Sequence, residues 1–161
     1  MRRVAKTEHV SSLAMSSYIL LDSGPLGMLA RARPEPALRL WVRDRLRAGR
    51  RLAIPEIADY AVRRELILAR LQTSLNSLNA LQVTLDYLSI TTSIPRRAAA
   101  LWADARQKGI TTADRHALDG DVILAATAQL LGEDGHDVII ATTNVGHLGR
   151  FVSAQRWQDI G

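Results

Sequence analysis

The chain has 161 residues, 47% of them hydrophobic, enough for one domain with a real core. It contains no cysteine, which excludes disulfide frameworks, cysteine–zinc sites and thiol catalysis, and no apolar run approaches the roughly 20 residues of a membrane span. Basic residues outnumber acidic ones 21 to 16, and all except Lys6 and Lys108 are arginine, whose planar guanidinium suits phosphate contacts, although arginines spread over helix faces are usually solvated surface.

Residues 1–14 are basic and polar with no apolar core of a signal peptide, so they are expected to be a disordered extension, with Met15 a possible natural start and a cytoplasmic address. The domain is expected over 15–161. Tyr18 to Leu21 reads as a short buried strand ended by Asp22-Ser-Gly-Pro25, with a helix from about Pro25. A second helix is expected from Glu35 to Ala48, opened by Pro34 and stopped by Gly49. Arg51 to Ile54 reads as a strand and Glu56 to Leu71 as a helix. Leu75, Leu78, Leu81, Leu85 and Leu88 form an apolar stripe expected to be buried on a further helix, in the core or across a dimer interface. Leu88 to Thr91 is expected to be a third strand, and a helix follows from Pro95 to Lys108 until Gly109. Asp121 to Leu131 reads as a very apolar helix closed by Gly132, Asp137 to Thr142 as the clearest strand, and Val152 to Ile160 as holding a last edge strand. Non-alternating strands separated by helices predict a parallel sheet covered on both faces.

Three positions at the ends of these elements carry the chemistry: Asp22 after the first strand, Asp121 at the mouth of the apolar helix and Asn144 after the strongest strand. If the two strands are neighbours, Asp22 and Asn144 emerge together at the carboxyl edge, where open α/β sheets place their sites, and carboxylates gathered there bind a hard divalent cation. Asp22 lacks both the second aspartate of a phosphoaspartyl transferase and the glycine loop of a dinucleotide site, which leaves a metal ligand or a helix N-cap. Asp119, two residues before Asp121, reads as a cap at the helix mouth, where the positive helix end favours carboxylates in any case. His9, His116, His136 and His147 are scattered without ligand spacing and are not expected to bind metal.

Taken together, Leu20-Leu-Asp-Ser23, Ile54-Pro-Glu-Ile-Ala-Asp-Tyr-Ala-Val-Arg-Arg-Glu-Leu66, Leu118-Asp-Gly-Asp-Val-Ile-Leu-Ala-Ala-Thr-Ala128 and Ala141-Thr-Thr-Asn144 resemble the PIN domains, most of all the VapC-type toxins of toxin-antitoxin pairs. The resemblance spans Tyr18 to Ile160. It implies an α/β fold, a three-layer α/β/α sandwich with a parallel central sheet. It also implies a Mg²⁺- or Mn²⁺-dependent RNA endonuclease, a homodimer, and a small antitoxin covering the site. By the same resemblance Asp22 and Asp121 are metal-binding carboxylates, Asp119 is a supporting acid, and Asn144 stands where relatives carry an acid or an amide. The departure is Ala61, where similar proteins carry a glutamate of the acidic cluster. Glu65, one turn on, partly substitutes for it, or the metal is held weakly, or this form is inactivated. The alternative function is a non-catalytic PIN-like protein that binds RNA or an antitoxin.

Overall fold

A computed structural model describes residues 16–109 and 115–161; the expected extension lies outside the described residues. β1 (Ser17–Leu21), β2 (Arg51–Pro55), β3 (Asp86–Leu88), β4 (Asp137–Ala141) and β5 (Ala154–Gln155) form one sheet in the order β3-β2-β1-β4-β5. Every strand pair is parallel, as the unbroken apolar runs predict. Between the strands lie α1 (Ser23–Ala30), α2 (Pro36–Arg47), α3 (Glu56–Leu68), α4 (Gln72–Thr84), α5 (Ser93–Gln107), α6 (Arg115–Glu133) and α7 (Val145–Leu148).

Strand periodicity sorts the core into layers. On β1, Ile19 and Leu21 point into a cluster with Leu26, Leu38, Trp41 and Leu78 from the α1–α4 side, while Tyr18 and Leu20 point the other way against Leu124 and Ala128 of α6. Both faces of the sheet are therefore buried, which is why its strands are apolar throughout. The result is a three-layer α/β/α sandwich. The chain end is tied back to α2 by the Trp41 indole, which donates to the Ile160 carbonyl at 2.9 Å.

Three expected elements are placed differently. The leucine stripe does not ride on one helix: α4 ends at Thr84, so Leu85 follows the helix and Leu88 belongs to β3. Leu78 and Leu85 are buried, whereas Leu75, Leu81 and Leu88 are only partly so. The third strand runs Asp86–Leu88 rather than Leu88 to Thr91, because its pairing with Ala53, Ile54 and Pro55 fixes the register. Finally, α6 begins at Arg115, so Asp119 and Asp121 lie inside the helix and not at its mouth.

One buried polar network joins α3 to the sheet edge. Asp59, 7% exposed, accepts from the Tyr87 hydroxyl at 2.8 Å and from Arg63 Nη2 at 3.0 Å, and Arg63 also donates to Asn79 on α4. Burial and the bond to Asp59 push the Tyr87 phenol up from its ordinary range. Removing the hydroxyl leaves a buried carboxylate short of a donor, so Tyr87→Phe is expected to lower stability by about 1–2 kcal/mol, read from urea denaturation midpoints. A midpoint equal to that of the unsubstituted protein would contradict the network's role.

Candidate active site

The register of β1 and β4 builds the site. Leu21 pairs with Ala141, so the next residues, Asp22 and Thr142, leave the sheet side by side at its carboxyl edge. The fully buried Thr142 hydroxyl donates to Asp22 Oδ2 at 2.8 Å and accepts from the Asn144 backbone N–H at 2.9 Å. Asp22 Oδ1 takes the Ser23 N–H at 2.7 Å as the N-cap of α1. Both carboxylate oxygens are thus oriented, each with further lone-pair capacity. Gly24 lets α1 start this close to β4, because a Cβ there would lie 2.9 Å from Thr143 Oγ1.

Opposite this edge, α6 presents Asp121. A cleft of about 300 Å³ is lined by Asp22, Asp121, Thr143 and Asn144, with Ala61 and Arg64 of α3 on its wall. Asp121 Oδ2 is buried and has no hydrogen-bond partner among the described residues. The His147 ring stands beside it, with Nδ1 3.8 Å from Oδ2, too far for a hydrogen bond. That Nδ1 lies 2.9 Å from Asn144 Nδ2, so the amide and the ring hold each other at the cleft rim. Burial first, and then the charge of Asp22, push the Asp121 carboxyl up to about 6, with His147 opposing the shift.

The structure brings together Asp22, Asp121 and Asn144 and leaves Asp119 out. Asp119 lines a separate hollow with Pro95, Ala98 and Trp102. Residues two apart in a helix interior differ by about 200° in direction, so once α6 is seen to start at Arg115, Asp119 and Asp121 must face apart. Asp119→Ala is therefore expected to leave divalent-cation stabilisation and any RNA cleavage within about twofold of the unsubstituted protein, as substitutions away from such features usually act; loss of either would return Asp119 to the site.

Glu65, expected as a partial substitute for a glutamate at position 61, does not reach the cleft. It lines the neighbouring groove rather than the cleft, and its carboxylate lies 3.7 Å from Arg64 with both side chains largely in solvent. Asp59 is turned away toward Tyr87. Among the described residues no three of His, Asp and Glu are grouped closely enough to hold a metal ion, so the cleft offers two carboxylates and an amide. By sequence His147 is set aside among the scattered histidines and Arg64 is not singled out. Neither has a motif of its own, and both reach the site only because α7 and α3 pack against its rim.

No protein-family model and no curated protein matches the sequence. Solved structures do. A chain of the VapBC2 complex from Rickettsia felis, bound to a DNA fragment from its promoter, matches with a TM-score of 0.69 at 13% identity over 87% of this chain and 98% of that one. The fold is that of a PIN domain. FitAcB from Neisseria gonorrhoeae matches at 0.65 and 18% identity, over 88% of this chain and 99% of that one. DNA-bound VapBC from Salmonella typhimurium matches at 0.60 and 20%, over 89% and 99%. Nearly the full length of each matched chain is covered, so the PIN fold accounts for the whole described body of this protein, and the cleft lies at that fold's carboxyl sheet edge.

Proposed function

We propose that this chain is a Mg²⁺- or Mn²⁺-dependent endoribonuclease, the toxin of a VapC-type toxin-antitoxin pair, acting in the cytoplasm as a homodimer with a small antitoxin that covers its site. The observation that carries this reading is the buried, unpartnered Asp121 Oδ2 facing Asp22 across one cleft. Leaving a buried carboxylate oxygen unpaired is costly, and a divalent cation would supply the partner while relieving the repulsion from Asp22. The donors fit: carboxylate, amide and hydroxyl oxygens are hard ligands, and Mg²⁺ is commonly held by one or two carboxylates with water completing its shell. The antitoxin partner rests on the matched structures, which are VapBC and FitAB complexes.

Asp22 and Asp121 would hold the ion, which when bound stabilises charge developing on the scissile phosphate. The protein's own groups prepare the rest. Thr142 fixes the Asp22 carboxylate, Asn144 and His147 hold each other at the cleft rim, and Arg64 offers a guanidinium to the RNA backbone beside the carboxylates. A second reading, a non-catalytic PIN-like protein that binds RNA or an antitoxin, is favoured by Ala61, which leaves the cleft wall without a third carboxylate.

Thermal unfolding in EDTA, MgCl₂ and MnCl₂, alongside incubation with total RNA, separates the two. Cation-dependent stabilisation with EDTA-sensitive cleavage supports the nuclease. Stabilisation by RNA without cleavage or cation response supports the binding protein.

A further inference from the structure

The α3 surface beside the cleft carries an exposed aromatic side chain already stacked on an arginine. Tyr60 is 56% exposed, and the Arg64 guanidinium carbon lies 5.2 Å from its ring centroid. Arg64 also lines the carboxylate cleft, so one residue joins the stack to the reacting centre. Its closest carboxylate, Glu65, forms only a long, solvent-exposed pair, of the kind that contributes little, and the guanidinium edge stays free to meet a phosphate. An exposed stack of this kind adds only modestly to helix stability. Single-stranded RNA, by contrast, is gripped by this combination: bases stack on aromatic faces and guanidinium planes while the cation neutralises the backbone.

We propose that Tyr60 and Arg64 form a nucleotide subsite that stacks one unpaired base of single-stranded RNA on the Tyr60 ring and holds the adjoining phosphate on Arg64, presenting the neighbouring linkage to Asp22 and Asp121. This rests on the nuclease reading above. The chain contains a matched comparison, because Arg106 stacks on the 40%-exposed Trp102 in the same way on α5. Trp102, however, lines the separate hollow with Asp119 and not the carboxylate cleft. Proximity to the cleft, rather than the stack itself, makes Tyr60 the candidate.

The test is equilibrium binding of a short fluorescein-labelled single-stranded RNA, held in EDTA to prevent cleavage, over a salt series. Tyr60→Leu is expected to weaken binding about tenfold, within the range measured for loss of one stacked base, with an unchanged salt slope, and Tyr60→Phe to restore it. Arg64→Ala is expected to weaken binding and lower the salt slope by roughly 0.7, the value for one phosphate contact on a single strand. An abasic strand of equal length should bind the unsubstituted protein and Tyr60→Leu alike, and Trp102→Leu should bind as the unsubstituted protein does. If the unsubstituted protein binds and cleaves RNA yet Tyr60→Leu binds equally well, the subsite is overturned while the nuclease reading stands. If the unsubstituted protein neither binds nor cleaves RNA, both fall.

Discussion

Asp121→Asn is expected to stabilise the metal-free protein while abolishing both its response to Mg²⁺ or Mn²⁺ and any RNA cleavage. The Asp121 carboxyl is held up at about 6 against an ordinary value of 3.8, by burial and by Asp22. The folded, metal-free protein therefore keeps a proton that the unfolded chain has already released between about pH 4 and pH 6. Stability from this group falls as pH rises through that window, and its cost is fully present above about pH 6. The amide carries no charge and escapes the cost. At pH 7 the substitution should raise metal-free stability by about 1–3 kcal/mol, the upper end being the full shift at 1.36 kcal/mol per pKa unit. The melting difference between the two proteins in EDTA should shrink toward zero near pH 4. In MnCl₂ the order reverses, because ligand binding stabilises only the protein that retains both carboxylates. Equal melting temperatures at pH 7 in EDTA would show that Asp121 is not strained. Equal stabilisation by Mn²⁺ would remove it from the metal site.

Ala61→Glu is expected to raise Mn²⁺ or Mg²⁺ affinity by about tenfold or more, since affinity for such cations follows the number of charged oxygen ligands, and to raise RNA cleavage with it. Ala61 lies on the wall of the cleft that contains Asp22 and Asp121, and Glu65 does not line it. A glutamate there adds an oxygen donor on the α3 wall, whose other lining residues, Ile57, Ala58 and Arg64, offer none. In EDTA the added negative charge should cost stability, about 1 kcal/mol for a like charge near the pair, and the cation should more than offset it. Calorimetric titration with MnCl₂ gives the affinity, and total-RNA cleavage with and without EDTA gives the activity. If the unsubstituted protein binds metal and cleaves as well as the substituted one, and EDTA stops both, position 61 is immaterial to catalysis.

The parallel sheet, the run of strands and helices along most of the chain, and the placement of Asp22 at a strand end were legible in the amino-acid sequence, whereas Asn144 was expected directly after its strand and lies three residues beyond it. Strands buried on both faces must be continuously apolar, so their ends are marked by the first polar residue, and that residue emerges at the carboxyl edge. What the sequence did not determine was direction around a helix. Whether Asp119 shares a cleft with Asp121 depends on how far α6 extends before it, and the helix already runs from Arg115, six residues before the start expected at Asp121. The fate of the leucine stripe was set in the same way, by the pairing of β3 with β2, which takes Leu88 out of the helix and into the sheet. The unpaired oxygen of Asp121, its raised carboxyl, the nearness of His147 and the Tyr60–Arg64 stack beside the cleft all arise where α3, α6 and α7 pack around the sheet edge. The stack itself is a local i,i+4 pair on α3, but its place beside the cleft, like the other features, depends on distances between residues far apart in sequence, which the tertiary structure alone decides.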